Sequence, residues 1–503
     1  MQQWLRQSGV AITLSAILLV IFIAPLQLEH IFYYDQRRVM QLLLLSIVPL
    51  LFLWRNYSVF ILQILMQNKV VSLLLSLFLM IGLLSSIKAS FMGIAFVHYT
   101  QLCLLILLSL TIAYSVVHKQ QNINYYMWLG CLFFIVVAAY IGHGYVVLFA
   151  ENIGTNMLNS VSALTVHPQF LNPRFLDQIL TALVPLSSGL LLIVKNRYLK
   201  IIAITAVSTG LYLMILTASR ASFVILISMI VIGIIFFRPL FYRYCKYMLL
   251  CFVLAFFAYY TITFLMEASV GLNMDRSDGF LSYSDRWPLI QAAILAGLSE
   301  NIFLGLGPGM YPAFVYFYSE TTAAHPHNIW ALLLAEWGII NAIIVMMLVI
   351  MLIVRFFNIA KLIQDNIYAM VIVFAVSSMF IKGLVSGVTI MPAAQLTFAL
   401  TIGLLIAIFI SKANLLTFKS TIEQRIFKLL LGAICMIASA YLLLYSLHSM
   451  SRLTTNAYHY GTACYIKNKD MTSLSPNLWS NGWFMTHNKS IEALSHSADL
   501  KCV

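Results

Sequence analysis

Four polar stretches carry the side chains that could do chemistry: Asn172-Pro173-Arg174, Ser219-Arg220, Asp285-Arg286-Trp287 and His325-Pro326-His327-Asn328. Arginine meets a phosphate with parallel N–H donors. A neutral histidine can take a proton from an attacking hydroxyl. Three arginines and a histidine on one face would suit a diphosphate on a membrane lipid, whose charge grows as it leaves. Such a reaction needs neither ATP nor a metal. Each stretch also has an ordinary use. Arg174 is the only Lys or Arg of its loop and can hold a membrane interface. Arg220 can snorkel from a helix end, and Arg286 beside Trp287 makes an interfacial pair. Asn328 is well suited to cap a helix. The chemical reading gains weight from their meeting on one face.

The elements that must position them are membrane helices. Of 503 residues, 62% are hydrophobic and 9% charged. A soluble domain carries about 45–50% and 25%, so this chain cannot coat a soluble surface. With 12 Pro, 23 Gly and no glycine period, disorder and collagen are excluded as well. The expected fold is an all-α polytopic membrane protein. Apolar runs long enough to cross a bilayer fall near 10–28, 39–54, 70–86, 91–117, 126–149, 179–194, 201–218, 221–237, 247–266, 328–354, 367–386, 394–411 and 427–447. That gives 12 or 13 crossings. The run 58–66 is too short and reads as interfacial. The first run lacks a small-residue cleavage site and reads as a retained anchor. Residues 1–447 are expected to form the membrane domain, with one long loop at 267–327 that is expected to be helical, and 448–503 a polar tail.

Charge sets the orientation. With the N-terminus in the cytoplasm, the inside loops collect 16 of the 29 basic residues and two of the 16 acids. Arg37, Arg38 and Lys88 fall outside and fit less well. The net charge of +13 is therefore an orientation signal rather than a nucleic-acid surface. Basic flanks at Lys195–Lys200 and Arg238–Lys246 require an even number of crossings between them. Residues 201–237 are accordingly a hairpin with its tip at Thr217–Ser222. Loops 150–178 and 267–327 lie outside, as does the tail if the crossings are odd in number. Cys464 and Cys502 in the tail could pair in an oxidising compartment, or remain thiols. Cys103, Cys131, Cys251 and Cys435 read as packing residues.

Other signals are weaker. His98 and His143 lie in apolar runs, where a histidine usually bonds a neighbouring helix. No spacing of His and Cys suggests zinc. Asp275 and Asp278 read as solvated loop residues. The glycines 305, 307 and 309 lack the Lys-Ser/Thr of a phosphate loop. Glu336 lies nine residues beyond His327. On a regular helix that is about 13.5 Å away and on the opposite side, so a packing or interhelical hydrogen-bond role is expected of it.

Several ordered stretches together resemble the bacterial O-antigen ligases and their relatives, the O-antigen polymerases and protein O-oligosaccharyltransferases. They are FLNPRFLDQ at 170–178, TASRAS at 217–222, SDRWPLIQAAILAGLSENIFLGLGPGMY at 284–311 and AHPHNIWALLLAEWG at 324–338. The similarity covers roughly 165–355. It implies a GT-C-like architecture in the bacterial inner membrane with a periplasmic active site. The implied enzyme is a metal-independent, inverting glycosyltransferase that uses no cofactor. It would move a glycan from undecaprenyl diphosphate to an acceptor hydroxyl. By position, Arg220 and Arg286 match the family's donor-holding arginines and His327 its essential histidine. Asn172, Arg174, His325 and Asn328 are expected to bind substrate. Gly338 falls where the ligase pattern wants a glycine, whereas Asn341 departs from it. Lipid A-core is the first expected acceptor; a growing glycan or an exported protein is the alternative. A flippase for lipid-linked sugar is the competing class. It would need a polar path through the bundle, whereas these charges gather at one face.

Overall fold

In a computed structural model the chain is all-α. The described residues are 2–23, 33–53, 55–90, 92–117, 119–152, 173–217, 219–270, 286–312, 314 and 325–411, with short helical pieces within 432–444. Asn172 and the tail with its two cysteines lie outside them, as do Asp275, Asp278, Asp285 and the rest of 271–285, 313 and 315–324 of the long loop. Arg174 is described for its backbone only. Among the described residues no strand occurs.

The helices are α1 (Gln2–Ile23), α2 (Tyr33–Ile47), α3 (Arg55–Gln67), α4 (Lys69–Lys88), α5 (Met92–Val117), α6 (Ile123–Asn152), α7 (Pro173–Ser188), α8 (Leu190–Ile193), α9 (Arg197–Leu216) and α10 (Arg220–Phe236). After these come α11 (Arg238–Val270), α12 (Trp287–Asn301), α13 (Ile329–Ile363), α14 (Ile367–Gly383) and α15 (Pro392–Ser411). Eight of them are long and apolar enough to cross a membrane, and four further apolar stretches are shorter. The chain is an all-α polytopic membrane protein.

The stretch 39–54 ends its helix at Ile47 and tightens into a 3-10 turn over Val48–Leu53. The run 58–66 belongs to the 13-residue α3. Hydrophobic burial centres on α5, α6, α7, α14 and α15, with Leu180, Leu183, Phe374, Leu396 and Leu400 fully enclosed. The pairs α5–α15 and α7–α14 pack side by side. By contrast α11 turns Phe257, Phe264 and Leu249 outward. Such a face suits lipid rather than water.

Caps mark the turns. Asn196 accepts from Tyr198 N and Leu199 N at the start of α9, and Asn366 accepts from Ala369 N at the start of α14. The run 201–237 divides into α9 and α10 at the turn expected near Thr217–Ser222; α9 packs on α6, α7 and α11, and α10 on α14.

The two arginines that fitted the charge rule poorly are not loop residues. Arg37 and Arg38 are buried on α2. Arg38 donates to Gln41 Oε1 and Gln395 Oε1 at 2.7 Å, and to the Ile390 carbonyl. Gln101 on α5 donates into the same cluster, to Gln395 Oε1 at 2.6 Å. Cys131 and Cys251 are buried, as expected of packing residues.

Candidate functional site

The site is organised by a segment the sequence did not single out, Lys382–Gly387 at the end of α14. Lys382 Nζ donates to Ser219 Oγ, next to Arg220, at 2.8 Å. The Leu384 carbonyl accepts from Asn328 Nδ2 at 3.2 Å. The Val385 carbonyl accepts from an Arg286 guanidinium N–H at 2.7 Å. Ser386 Oγ accepts from Gln178 at 2.8 Å. Gly387 lies against the His325 ring, where a Cβ would come within 2.5 Å of Nε2. Six residues reach at most about 20 Å even when extended. Arg220, Arg286 and the His325–Asn328 turn therefore meet around one short segment. Arg220 is exposed, and Arg286 and His327 are half-buried.

His327 has φ +56°, the one non-glycine residue with positive φ among those described. That left-handed backbone is uncommon for a histidine. The turn is held from behind: His325 Nδ1 accepts the His327 N–H at 3.0 Å, and the two rings stand 3.9 Å apart. The neutral His325 ring then carries its proton on Nε2, facing Gly387. Burial, helped by the neighbouring His327 and Arg286, holds the His325 pKa well below its ordinary value. Asn328 next caps α13, accepting from Trp330 N at 2.9 Å and Ala331 N at 3.0 Å. Its capping use is thus realised, and its remaining N–H ties the cap to Leu384.

A pH dependence follows. Above about pH 6.5 the His325 ring is neutral in folded and unfolded chain alike. As pH falls through that value the unfolded ring binds a proton that the folded one resists, so stability is lost on the acid side. In His325→Asn, Oδ1 can accept the same i+2 N–H without titrating. Thermal unfolding of the purified protein between about pH 7.5 and 5 should show a smaller acid loss in this variant than in wild type. At neutral pH His325→Leu should be less stable than wild type by about 1–3 kcal/mol, the cost of an unmet buried N–H, and it too should lack the acid loss. Equal acid loss in wild type and His325→Asn would show that His325 is not the titrating group.

Behind Arg220 lies a buried ion pair. Asp177 on α7 meets Lys382 on α14, and both side chains are enclosed. The other Asp177 oxygen accepts from Ser222 Oγ at 2.8 Å. Sequence reasoning placed the preceding helix boundary at 179 and so left Asp177 in the loop. An acid within a run that turns out helical and buried was the available signal.

The glycine-rich stretch has a structural use. α13 is not regular: Gly338 has φ +75° and ψ +173°, which breaks the helix after two turns. The stretch 302–310 lies along that break. Leu306 N donates to the Ala335 carbonyl at 2.8 Å, Gly307 N to the Glu336 carbonyl at 3.0 Å and Ile339 N to the Ile302 carbonyl at 2.8 Å. Ser85 of α4 donates to the Leu304 carbonyl at 2.6 Å. Glu336 accepts the Tyr311 N–H at 3.2 Å, so its carboxylate holds this loop and stands apart from His327. Gly309 sits on the buried His98 ring, whose Nε2 meets no hydrogen-bond partner among the described residues; His143 is exposed. Among the described residues no group of three or more His, Cys, Asp or Glu lies together.

An apolar bundle in which Arg220, Arg286 and the His325–Asn328 turn meet around one helix end defines a multi-pass helical membrane protein with a polar site there. Residues 205–346 match the family model described as O-antigen ligase, so this segment of the chain is similar to that family. The matched segment holds Arg220, Arg286, His325, His327, Asn328 and Gly338; Asp177 and Lys382 lie outside it. No curated protein matches the chain.

Proposed function

We propose that the protein is an inner-membrane glycosyltransferase that moves a glycan from undecaprenyl diphosphate to an acceptor hydroxyl on the periplasmic side, with lipid A-core as acceptor. What supports this reading is the meeting of Arg220, Arg286 and the His325–Asn328 turn around Lys382–Gly387, within and beside the ligase-type domain. In the proposed step, His327 takes the acceptor hydroxyl proton. The oxygen attacks the anomeric carbon, the bond to the diphosphate oxygen breaks, and the electron pair leaves with the diphosphate. Arg220 and Arg286 meet the charge that develops there. One displacement of this kind inverts the anomeric centre. Arg174, at the start of α7, and Asn172 are proposed to assist donor binding.

The test is reconstitution. Purified protein in detergent, given lipid-linked glycan and lipid A-core, should transfer sugar with EDTA present and without ATP. A strict requirement for either metal or nucleotide would overturn the mechanism. Deleting the gene separates the acceptors. Polysaccharide absent from lipid A-core supports the ligase. A single attached unit would mean a polymerase, and an unglycosylated exported protein an oligosaccharyltransferase.

A further inference from the structure

Asp177 and Lys382 are 205 positions apart and meet with side-chain exposures of 0% and 3%. Their helices do not need a charge pair to adhere. Leu180, Val184, Met379 and Val376 already bury an apolar α7–α14 surface. A buried ion pair is also weak evidence for stability, since its desolvation offsets much of its attraction. What these two groups reach, and an apolar contact would not, is the pair of serines around Arg220. Lys382 Nζ donates to Ser219 Oγ and Asp177 Oδ1 accepts from Ser222 Oγ, both at 2.8 Å.

The serine on the Lys382 side has given something up for this contact. Ser219 is the N-cap residue of α10, yet its side chain accepts no N–H of the first turn. A serine in that place ordinarily does so. Here the hydroxyl oxygen faces the ammonium group. The turn between α9 and α10 is thus tied on both sides of Arg220 to helices from distant parts of the chain.

We infer that Asp177 and Lys382 are positioning residues that hold the α9–α10 turn so that Arg220 is fixed toward the donor diphosphate. The inference rests on the proposed function for the role of Arg220. It also accounts for a charged pair in a bundle whose other interior polar groups are mostly amides and hydroxyls.

The test uses the full-length protein in detergent with undecaprenyl diphosphate as the binding probe. Asp177→Asn combined with Lys382→Met removes both charges together and leaves no buried ion alone. This variant should keep its thermal stability near wild type, bind the probe about tenfold more weakly, and raise the donor KM about tenfold with the acceptor KM unchanged. If it does not fold, Ser219→Ala with Ser222→Ala cuts the same ties while keeping the ion pair, and the same shifts are expected. In an Arg220→Ala background either pair should cause no further loss of probe binding. A folded variant with wild-type probe affinity and donor KM, alongside an Arg220→Ala that binds poorly, overturns the inference and leaves the proposed function intact. An Arg220→Ala protein that binds and transfers like wild type overturns the proposed role of Arg220, and the inference with it.

Discussion

Replacing His327 by asparagine should lower glycan transfer by about 10²–10⁴-fold, the usual worth of a positioned general base, while the protein still accumulates in the membrane. Asparagine is the informative choice because the residue must keep φ +56°. Asn enters that left-handed region more readily than other non-glycine residues, so the turn survives and only the base is lost. Alanine would mix a backbone penalty with the chemical one. Arg220→Ala and Arg286→Ala should each lose about 10²–10³-fold, as when one group that meets developing charge is removed. Lysine at either place should recover part of this, since it keeps the charge but not the paired N–H geometry. Surface polysaccharide is read by gel and protein level by an epitope tag. Wild-type polysaccharide from all three variants would remove these residues from the site.

A second large effect is expected at Gly338, for a structural reason. Its φ +75° and ψ +173° lie in a region that only glycine occupies without strain of about 1–3 kcal/mol. An added Cβ would also stand 2.2 Å from the Phe303 carbonyl oxygen and 2.7 Å from Gly305 N. Both are backbone atoms of the strip that lies along the break, so no side chain can swing aside. Gly338→Ala should therefore detach that strip from α13, with loss of the bonds from Leu306 N and Ile339 N. The expected outcome is little or no folded protein, seen as low membrane abundance and a collapsed thermal transition. Gly142→Ala is the control, because a Cβ there meets nothing within 4 Å. Equal abundance of the two variants would contradict the account of the break.

The parts of this fold that were legible in the sequence are those that depend on local pattern. Basic flanks announced the turn between α9 and α10, and Asn before an apolar run announced the cap of α13. The polar stretches were legible too, and the structure groups Ser219-Arg220, Arg286 and His325–Asn328 around one helix end. What stayed hidden depends on distant partners. The partner of Ser219 is 163 positions away, and the partner of Asp177 is 205. No periodicity reports such pairs. Lys382–Gly387 was unremarkable for the same reason: much of its contribution is backbone carbonyls, which every sequence offers. The break at Gly338 was missed because a run of apolar residues reads as one helix. The glycines 305–309 were noticed but tested only against a phosphate loop, when their use is to let one backbone lie on another.

The cluster around Arg38 has a consequence for how the protein is made. Arg38 on α2 and Gln395 on α15 are 357 positions apart. At about 5–20 residues per second, a ribosome takes roughly 20–70 s to synthesise that interval. Throughout that time the nascent chain holds Arg38 on an early helix with Gln41 beside it, while its acceptors on α15 and on the turn before it do not yet exist. Charges of this kind are costly in lipid until they are enclosed. The bundle is therefore closed by one of its last described helices, and a chain terminated before α15 would expose this defect to the cell's quality-control machinery.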